Sequence, residues 1–286
     1  MSPRPALPGW EVPQQHYLIQ PRHLAGGGDL THITAYLHAA GWKNRTRRSG
    51  GRITFDSPDG NSRVSYARDL NPPRWMVSGN SGNDPANTWH ASFGAAIPVE
   101  ILAGFTDALT RSPTPQAPNV WRPLTGQGWT NTAGEHPTAT SPDGGTSLQF
   151  RQENGSAAWM ASANATTSSG QETQVWDAVL TDNAPMRAIE GFAAALADPM
   201  PLLRPPGSMP FTAARQATAT PYMVLPSQLG AWQRLRVTAA RATRRARTTW
   251  GIHRPRRPTR APRPARAPKP AGIPRPLALT GGVRRR

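Results

Sequence analysis

The sequence predicts an α+β protein: two repeats of a small antiparallel sheet of about five strands, each followed by one helix, plus a disordered basic tail. Three observations predict it. A set of landmarks recurs about 85 residues apart, the apolar period switches from two to helical after a matched proline in each copy, and net positive charge is confined to the C-terminal third.

The landmarks run in order. Gly41-Trp42 recurs as Gly128-Trp129 at an offset of 87, and Ser57-Pro58-Asp59-Gly60 recurs as Ser141-Pro142-Asp143-Gly144 at 84. Trp75-Met76 returns as Trp159-Met160 at 84, and Trp89 and Pro98 return as Trp176 and Pro185 at 87. The offset changes only between landmarks, as loops of altered length require. Before the first Gly-Trp, Asp29 can cap a helix from Leu30 to Ala40, with Leu30, Ile33, Leu37 and Ala40 on one face and Gly41 as its stop. The second copy carries only the Pro-rich stretch 112–123 there. Val64 and Tyr66 alternate with polar residues and are repeated by Leu148 and Phe150; Ile53/Phe55, Trp75/Val77 and Trp89/Ala91/Phe93 alternate likewise, the mark of half-buried strands. Past Pro98, Val99, Leu102, Phe105 and Leu109 fall at helical spacing and map onto Met186, Ile189, Phe192 and Leu196, with proline opening each helix.

The boundaries that follow are an N-terminal extension at 1–15, repeat one at 16–111 with its additional helix, a Pro-rich linker at 112–120, repeat two at 121–199, and a tail at 200–286 with a helix at 226–250. Residues 201–286 hold 18 Arg, one Lys and no Asp or Glu, whereas residues 1–200 sum to −2, so the net charge of +17 belongs to the tail. On the tail helix Leu229, Trp232, Leu235, Ala239, Ala242, Ala246 and Trp250 form a stripe with arginines beside it, and beyond Trp250 the Arg-Pro-Ala alternation favours extended polyproline II. No segment is apolar over the roughly 20 residues that a membrane span needs, and the first residues lack the apolar core of a secretory signal; a soluble, cytoplasmic protein is expected.

The recurring Ser-Pro-Asp-Gly has the residue order of a type I turn: Ser accepts a bond, Pro presets φ, Asp takes the bridge region and Gly the left-handed exit. With strands on both sides, Ser57, Pro58, Asp59 and Gly60, like Ser141, Pro142, Asp143 and Gly144, read as hairpin turns rather than as paired catalytic carboxylates. The tryptophan pairs Trp42/Trp129, Trp75/Trp159 and Trp89/Trp176 read as core rather than as a stacking platform, and Gly26-Gly27-Gly28 as a flexible helix lead-in rather than an anion site. With no cysteine, and with His32 and His38 six apart, no metal site is expected; no nucleophile, P-loop or dinucleotide motif is present, and no cofactor is expected. The first copy carries Lys43, Arg45, Arg47, Arg48, Arg52, Arg63, Arg68 and Arg74 against three Asp, a candidate phosphate-contacting face.

The two Ser-Pro-Asp motifs, each with Gly-Trp upstream and a Trp-rich strand downstream, resemble the SPDY domain family, a bacterial domain of unknown function. The lead-in from Arg22 to Asp29 is similar to the start of such domains, and the resemblance covers roughly residues 16–200. Gly60 and Gly144 stand where the motif has Tyr. The resemblance implies an architecture and no activity. The expectation is a non-enzymatic binding protein that holds nucleic acid without regard to sequence through Arg234, Arg241, Arg244, Arg245, Arg247, Arg254, Arg256, Arg257, Arg260 and Arg263, a protein partner being possible and integral membrane association excluded. The alternative is a protein-interaction scaffold whose tail binds an anionic membrane or an acidic protein.

Overall fold

In the computed structural model the described residues are 11–47, 50–80, 87–111, 115–153, 155–167 and 169–252. The first repeat supplies five strands, β2 (Lys43–Asn44), β3 (Arg52–Asp56), β4 (Ser62–Ala67), β5 (Arg74–Asn80) and β6 (Thr88–Gly94), then helix α2 (Val99–Thr110). The second supplies β7 (Thr130–Thr132), β8 (Thr138–Thr140), β9 (Thr146–Glu153), β10 (Ser156–Thr166) and β11 (Glu172–Thr181), then α4 (Met186–Ala197). Helix α1 (Thr31–Ala39) precedes the first set and the short α3 (Trp121–Thr125) the second.

The ten strands form one antiparallel sheet in the order β2-β3-β4-β5-β6-β11-β10-β9-β8-β7. The repeats are therefore joined at their last strands, with Phe93 opposite Ala178, Ser92 opposite Val179 and Ala91 opposite Leu180. An edge strand left open on each unit would expose unpaired amides, and pairing β6 with β11 removes both edges at once. The prediction of two units holds for the strand and helix order; their cores are not separate. One apolar cluster runs through both, from Trp75, Val77 and Trp89 to Trp159, Trp176 and Leu180, under α2 and α4. The repeated tryptophans Trp42, Trp75, Trp89, Trp129, Trp159 and Trp176 are all buried in it. Phe105 and Phe192 are fully buried, and Phe93 touches both, with ring centroids 5.4 and 5.6 Å away.

Helices α2 and α4 cross at two glycines. A Cβ on Gly104 would lie 2.3 Å from the Gly191 carbonyl oxygen, and one on Gly191 would lie 2.5 Å from that of Gly104. Only glycine permits this approach.

Three local expectations change. The stretch 112–123 is not merely a linker before the second sheet: α3 stands where α1 stands in the first repeat. Trp129 N donates to Leu124 O at 3.2 Å, as Trp42 N donates to Leu37 O at 2.9 Å, so α3 corresponds to the last turn of α1. Gly26-Gly27-Gly28 is not a flexible lead-in. A Cβ on Gly27 would meet Ala95 O at 2.5 Å and Gly27 O accepts from Val99 N at 2.8 Å, so the glycines admit a neighbouring chain. Finally, the folded body extends past residue 200. Strand β12 (Leu202–Arg204) and strand β13 (Thr218–Val224) flank β1 (Gln14–Gln20) in a second sheet of order β12-β1-β13, so both chain ends of the body are tied down together. Helix α5 (Ala231–Ile252) follows and packs on α1. Residues 253–286, with the expected extended tail, lie outside the described residues. Among the described residues, no helix is long and apolar enough to cross a membrane.

The helix crossing is testable by sign. Alanine in a helix interior is ordinarily more favourable than glycine by roughly 0.8–1 kcal/mol, so Gly104→Ala would stabilise an uncrowded helix. Here overpacking should instead lower the unfolding free energy by about 1–3 kcal/mol, read from urea midpoints. A rise in stability would mean that the crossing is looser than described.

Candidate functional site

The two Ser-Pro-Asp-Gly segments adopt the expected turns, and they do so identically. Gly60 N donates to Ser57 O at 3.0 Å and Gly144 N to Ser141 O at 2.9 Å, which closes each turn between two paired strands. Ser57 Oγ donates to Asp59 Oδ1 at 2.5 Å and accepts from Ser62 N at 2.9 Å; Ser141 Oγ donates to Asp143 Oδ1 at 2.5 Å and accepts from Thr146 N at 3.0 Å. Gly60 and Gly144 take left-handed φ values of 77° and 72°. Serine and aspartate are thus consumed in holding the turn. The copies differ in one neighbour. Asp143 Oδ2 lies 3.4 Å from Nε2 of His23, a buried ring whose own carbonyl accepts the Trp176 indole N–H at 2.8 Å. Burial pushes the His23 imidazole below its ordinary value, against the pull of Asp143.

A second feature was not visible in the repeat pattern: a cleft of about 1240 Å³ between α1, α2, the β12 strand and the start of α5. Three ion pairs line it. Arg204 reaches both oxygens of Glu100 at 2.8 and 2.7 Å and also donates to the carbonyls of Ala25 and Gly26. Arg236 makes the same fork on Asp107 at 2.8 and 2.5 Å, and its guanidinium lies over Tyr36 and Trp232. Arg22 pairs with Asp198 at 2.9 Å and donates to Ala195 O at 2.8 Å. Burial works against the Glu100 carboxylate, but Arg204 outweighs it and holds Glu100 below its ordinary value. Asp107 goes the other way, since burial there exceeds the help of Arg236 and, unlike Glu100, no backbone N–H assists. The signal in the sequence was the pair Glu100 and Asp107 itself, two acids seven residues apart on one face of an otherwise apolar helix.

The arginines expected to bind nucleic acid separate into groups. Arg234 is turned back onto its own helix start, donating to the carbonyls of Leu229 and Ser227. Arg247 donates to Thr110 O at 2.5 Å, and Arg244 lies against Gly41. Arg241 and Arg245 are exposed. The buried face of α5 is Gln233, Arg236, Val237 and Ala240, not the predicted stripe; Leu235 is 72% exposed, and Ala239, Ala242 and Ala246 are exposed too. The helix docks through an ion pair, which hydrophobic periodicity does not detect. Arg254, Arg256, Arg257, Arg260 and Arg263 lie outside the described residues. In the basic stretch of the first repeat, Arg45 and Arg63 pair with Asp56 at 3.5 and 2.7 Å, Arg52 with Asp69 at 3.1 Å and Arg74 with Asp177 at 2.5 Å, so four of its cations share three carboxylates; Arg48 lies outside the described residues.

Fold and turns together define a tandem α+β repeat protein whose two copies share one sheet. Residues 56–116 and 140–202 each match the family model described as SPDY: Domain of unknown function (DUF317), and the chain carries two copies of that domain. Each match begins at the Ser-Pro-Asp turn and ends beyond the helix. No curated protein and no solved structure matches the chain.

The buried neutral His23 predicts a pH dependence. Its folded pKa is depressed below the ordinary 6.5, so on acidification the unfolded chain takes up the proton first and stability falls from about pH 7 downward. His32 is depressed by burial as well and adds in the same direction. His23→Gln should make the urea midpoint less sensitive to pH between about 7.5 and 5. Parallel curves for variant and parent would remove His23 as the cause.

Proposed function

We propose that this is a non-enzymatic, cytoplasmic binding protein that holds nucleic acid without reading its sequence, through the outer arginines of α5 and the basic segment beyond it. The observation that carries the reading is charge segregation: after Arg236 the chain holds 14 Arg and one Lys without a single Asp or Glu. Each phosphate that these cations neutralise releases counterion, a gain that needs no base contact. The fold supplies the mount. The Arg236–Asp107 pair, 9% and 7% exposed, locks the start of α5 to the body, and from there Arg241 and Arg245 face solvent. A non-enzymatic role is supported by the state of the acids in the cleft. Glu100, Asp107 and Asp198 are each held by an arginine, and Asp29 is bonded to Thr31.

The folded body now includes β12, β13 and α5, so the test keeps the full chain and neutralises side chains. Anisotropy on two unrelated 20-base-pair duplexes across a salt series should give equal affinities and a slope of log K against log salt of roughly −5, about −0.9 for each of five or six phosphates. Replacing Arg254, Arg256, Arg257, Arg260 and Arg263 with Gln should make that slope shallower by roughly 2–4, and Arg241→Gln with Arg245→Gln by less. An unchanged slope would place binding elsewhere. Tighter partition onto anionic vesicles than onto DNA at the same salt would favour a membrane- or acidic-partner scaffold instead.

A further inference from the structure

We propose that a small cavity where α5 passes the C-terminal ends of α1 and α2 is a binding site for a single phosphate group. It begins on α5 where the cleft ends, at Arg236, and runs on to Arg247. The inference stands independently of nucleic-acid binding by the tail.

The cavity forms because small residues meet there. Ala40 after α1, with Ala239, Ala240 and Thr243 on α5, leaves unfilled a space of about 120 Å³. That is well below the roughly 300–1,000 Å³ of organic-ligand sites, and several times the roughly 10–15 Å³ that one water needs. A compact ion fits it. Arg111, Ala239, Thr243 and Arg244 are exposed, so the cavity is reachable from solvent.

The charge around it is one-sided. Arg236, Arg244 and Arg247 share one face of α5, since steps of three and eight residues return a helix to the same side, and Arg111 follows the end of α2. Among the described residues the only carboxylate lining the cavity is Asp107. The fold uses part of the positive charge. Arg236 forks onto Asp107, Arg247 donates to Thr110 O, and the ends of α1 and α2 each carry roughly half a negative charge. Four guanidiniums against one carboxylate and two such ends still leave an excess of about two positive charges, which one phosphate dianion neutralises. Arg111 makes no ion pair among the described residues, and a planar guanidinium matches the oxygens of a phosphate. In the second repeat the position of Arg111 is held by Asp198, a reversal of charge.

Free phosphate and a backbone phosphate of nucleic acid share this chemistry, and the test separates them. It uses the full-length protein and inorganic phosphate at about pH 8, where the ion is a dianion, with sodium chloride holding ionic strength constant. The readout is the urea midpoint, because phosphate held equally by folded and unfolded chains cancels from it. The midpoint should rise and saturate, with half of the rise reached below about 5 mM. Arg111→Gln should move that half-point at least about fivefold higher. Arg151→Gln, which removes the same charge from β9 of the second repeat, should leave it in place. No rise beyond that in chloride, a rise that never saturates, or the parent's half-point in Arg111→Gln would each overturn the proposal. On the 20-base-pair duplex, Arg111→Gln should make the salt slope shallower by about 0.9 if a backbone phosphate fills the site, and leave it unchanged if free phosphate does.

Discussion

Two glycine backbones in contact hold this architecture together. Gly104 on α2 and Gly191 on α4 approach within a distance that any side chain would forbid, and the contact is reciprocal: each faces the other's carbonyl, and each also faces an alanine of the other helix, Ala195 or Ala108. Those positions correspond in the two repeats. The crossing is thus an isologous interface of the kind that two identical subunits form, realised within one chain. It sets α2 and α4 over the β6–β11 seam, where Phe93 meets Phe105 and Phe192, and one core replaces two. Arg74 and Asp177 close the seam on the opposite side of the sheet from that core.

Symmetry then breaks where charge enters the helices. Glu100 and Asp107 on α2 correspond to Arg187 and Ala194 on α4, so only the first repeat offers carboxylates to Arg204 and Arg236. Only the first repeat also keeps a full α1 against which α5 can pack; the second retains the single turn of α3. The C-terminal segment is therefore recruited to one side, where β12 and the start of α5 line the cleft. Removing one partner of such a buried pair typically costs about 3–5 kcal/mol, because the survivor is left charged and unpaired. The ion pairs thus specify where β12 and α5 dock, even where their net contribution to stability is small.

This arrangement joins the folded body to a strongly cationic C-terminal sequence. Arginine is the residue suited to both jobs: its planar fork binds carboxylates bidentately in the cleft, and its permanent charge contacts polyanions when exposed. The same residue type is structural at Arg204 and Arg236 and solvent-facing at Arg241, within one continuous run that composition treats as uniform.

The repeat, the strand and helix order, the burial of the paired tryptophans and the form of the Ser-Pro-Asp-Gly turns were all legible in the sequence. Each depends on local periodicity, or on a turn whose hydrogen bonds close within a few residues, such as Ser57 with Asp59 and Ser62. The fusion of the sheets, the glycine crossing and the cleft were decided only by tertiary structure. The pairing of Ala91 with Leu180, and of Arg204 with Glu100 across 104 positions, leaves no periodic trace in the chain. Arginine in a basic run reads as tail until a distant carboxylate is brought beside it. Hydrophobic spacing for the same reason selected the wrong face of α5: that helix is held by a salt bridge and small residues, and Leu235, Ala239, Ala242 and Ala246 of its apolar stripe face water.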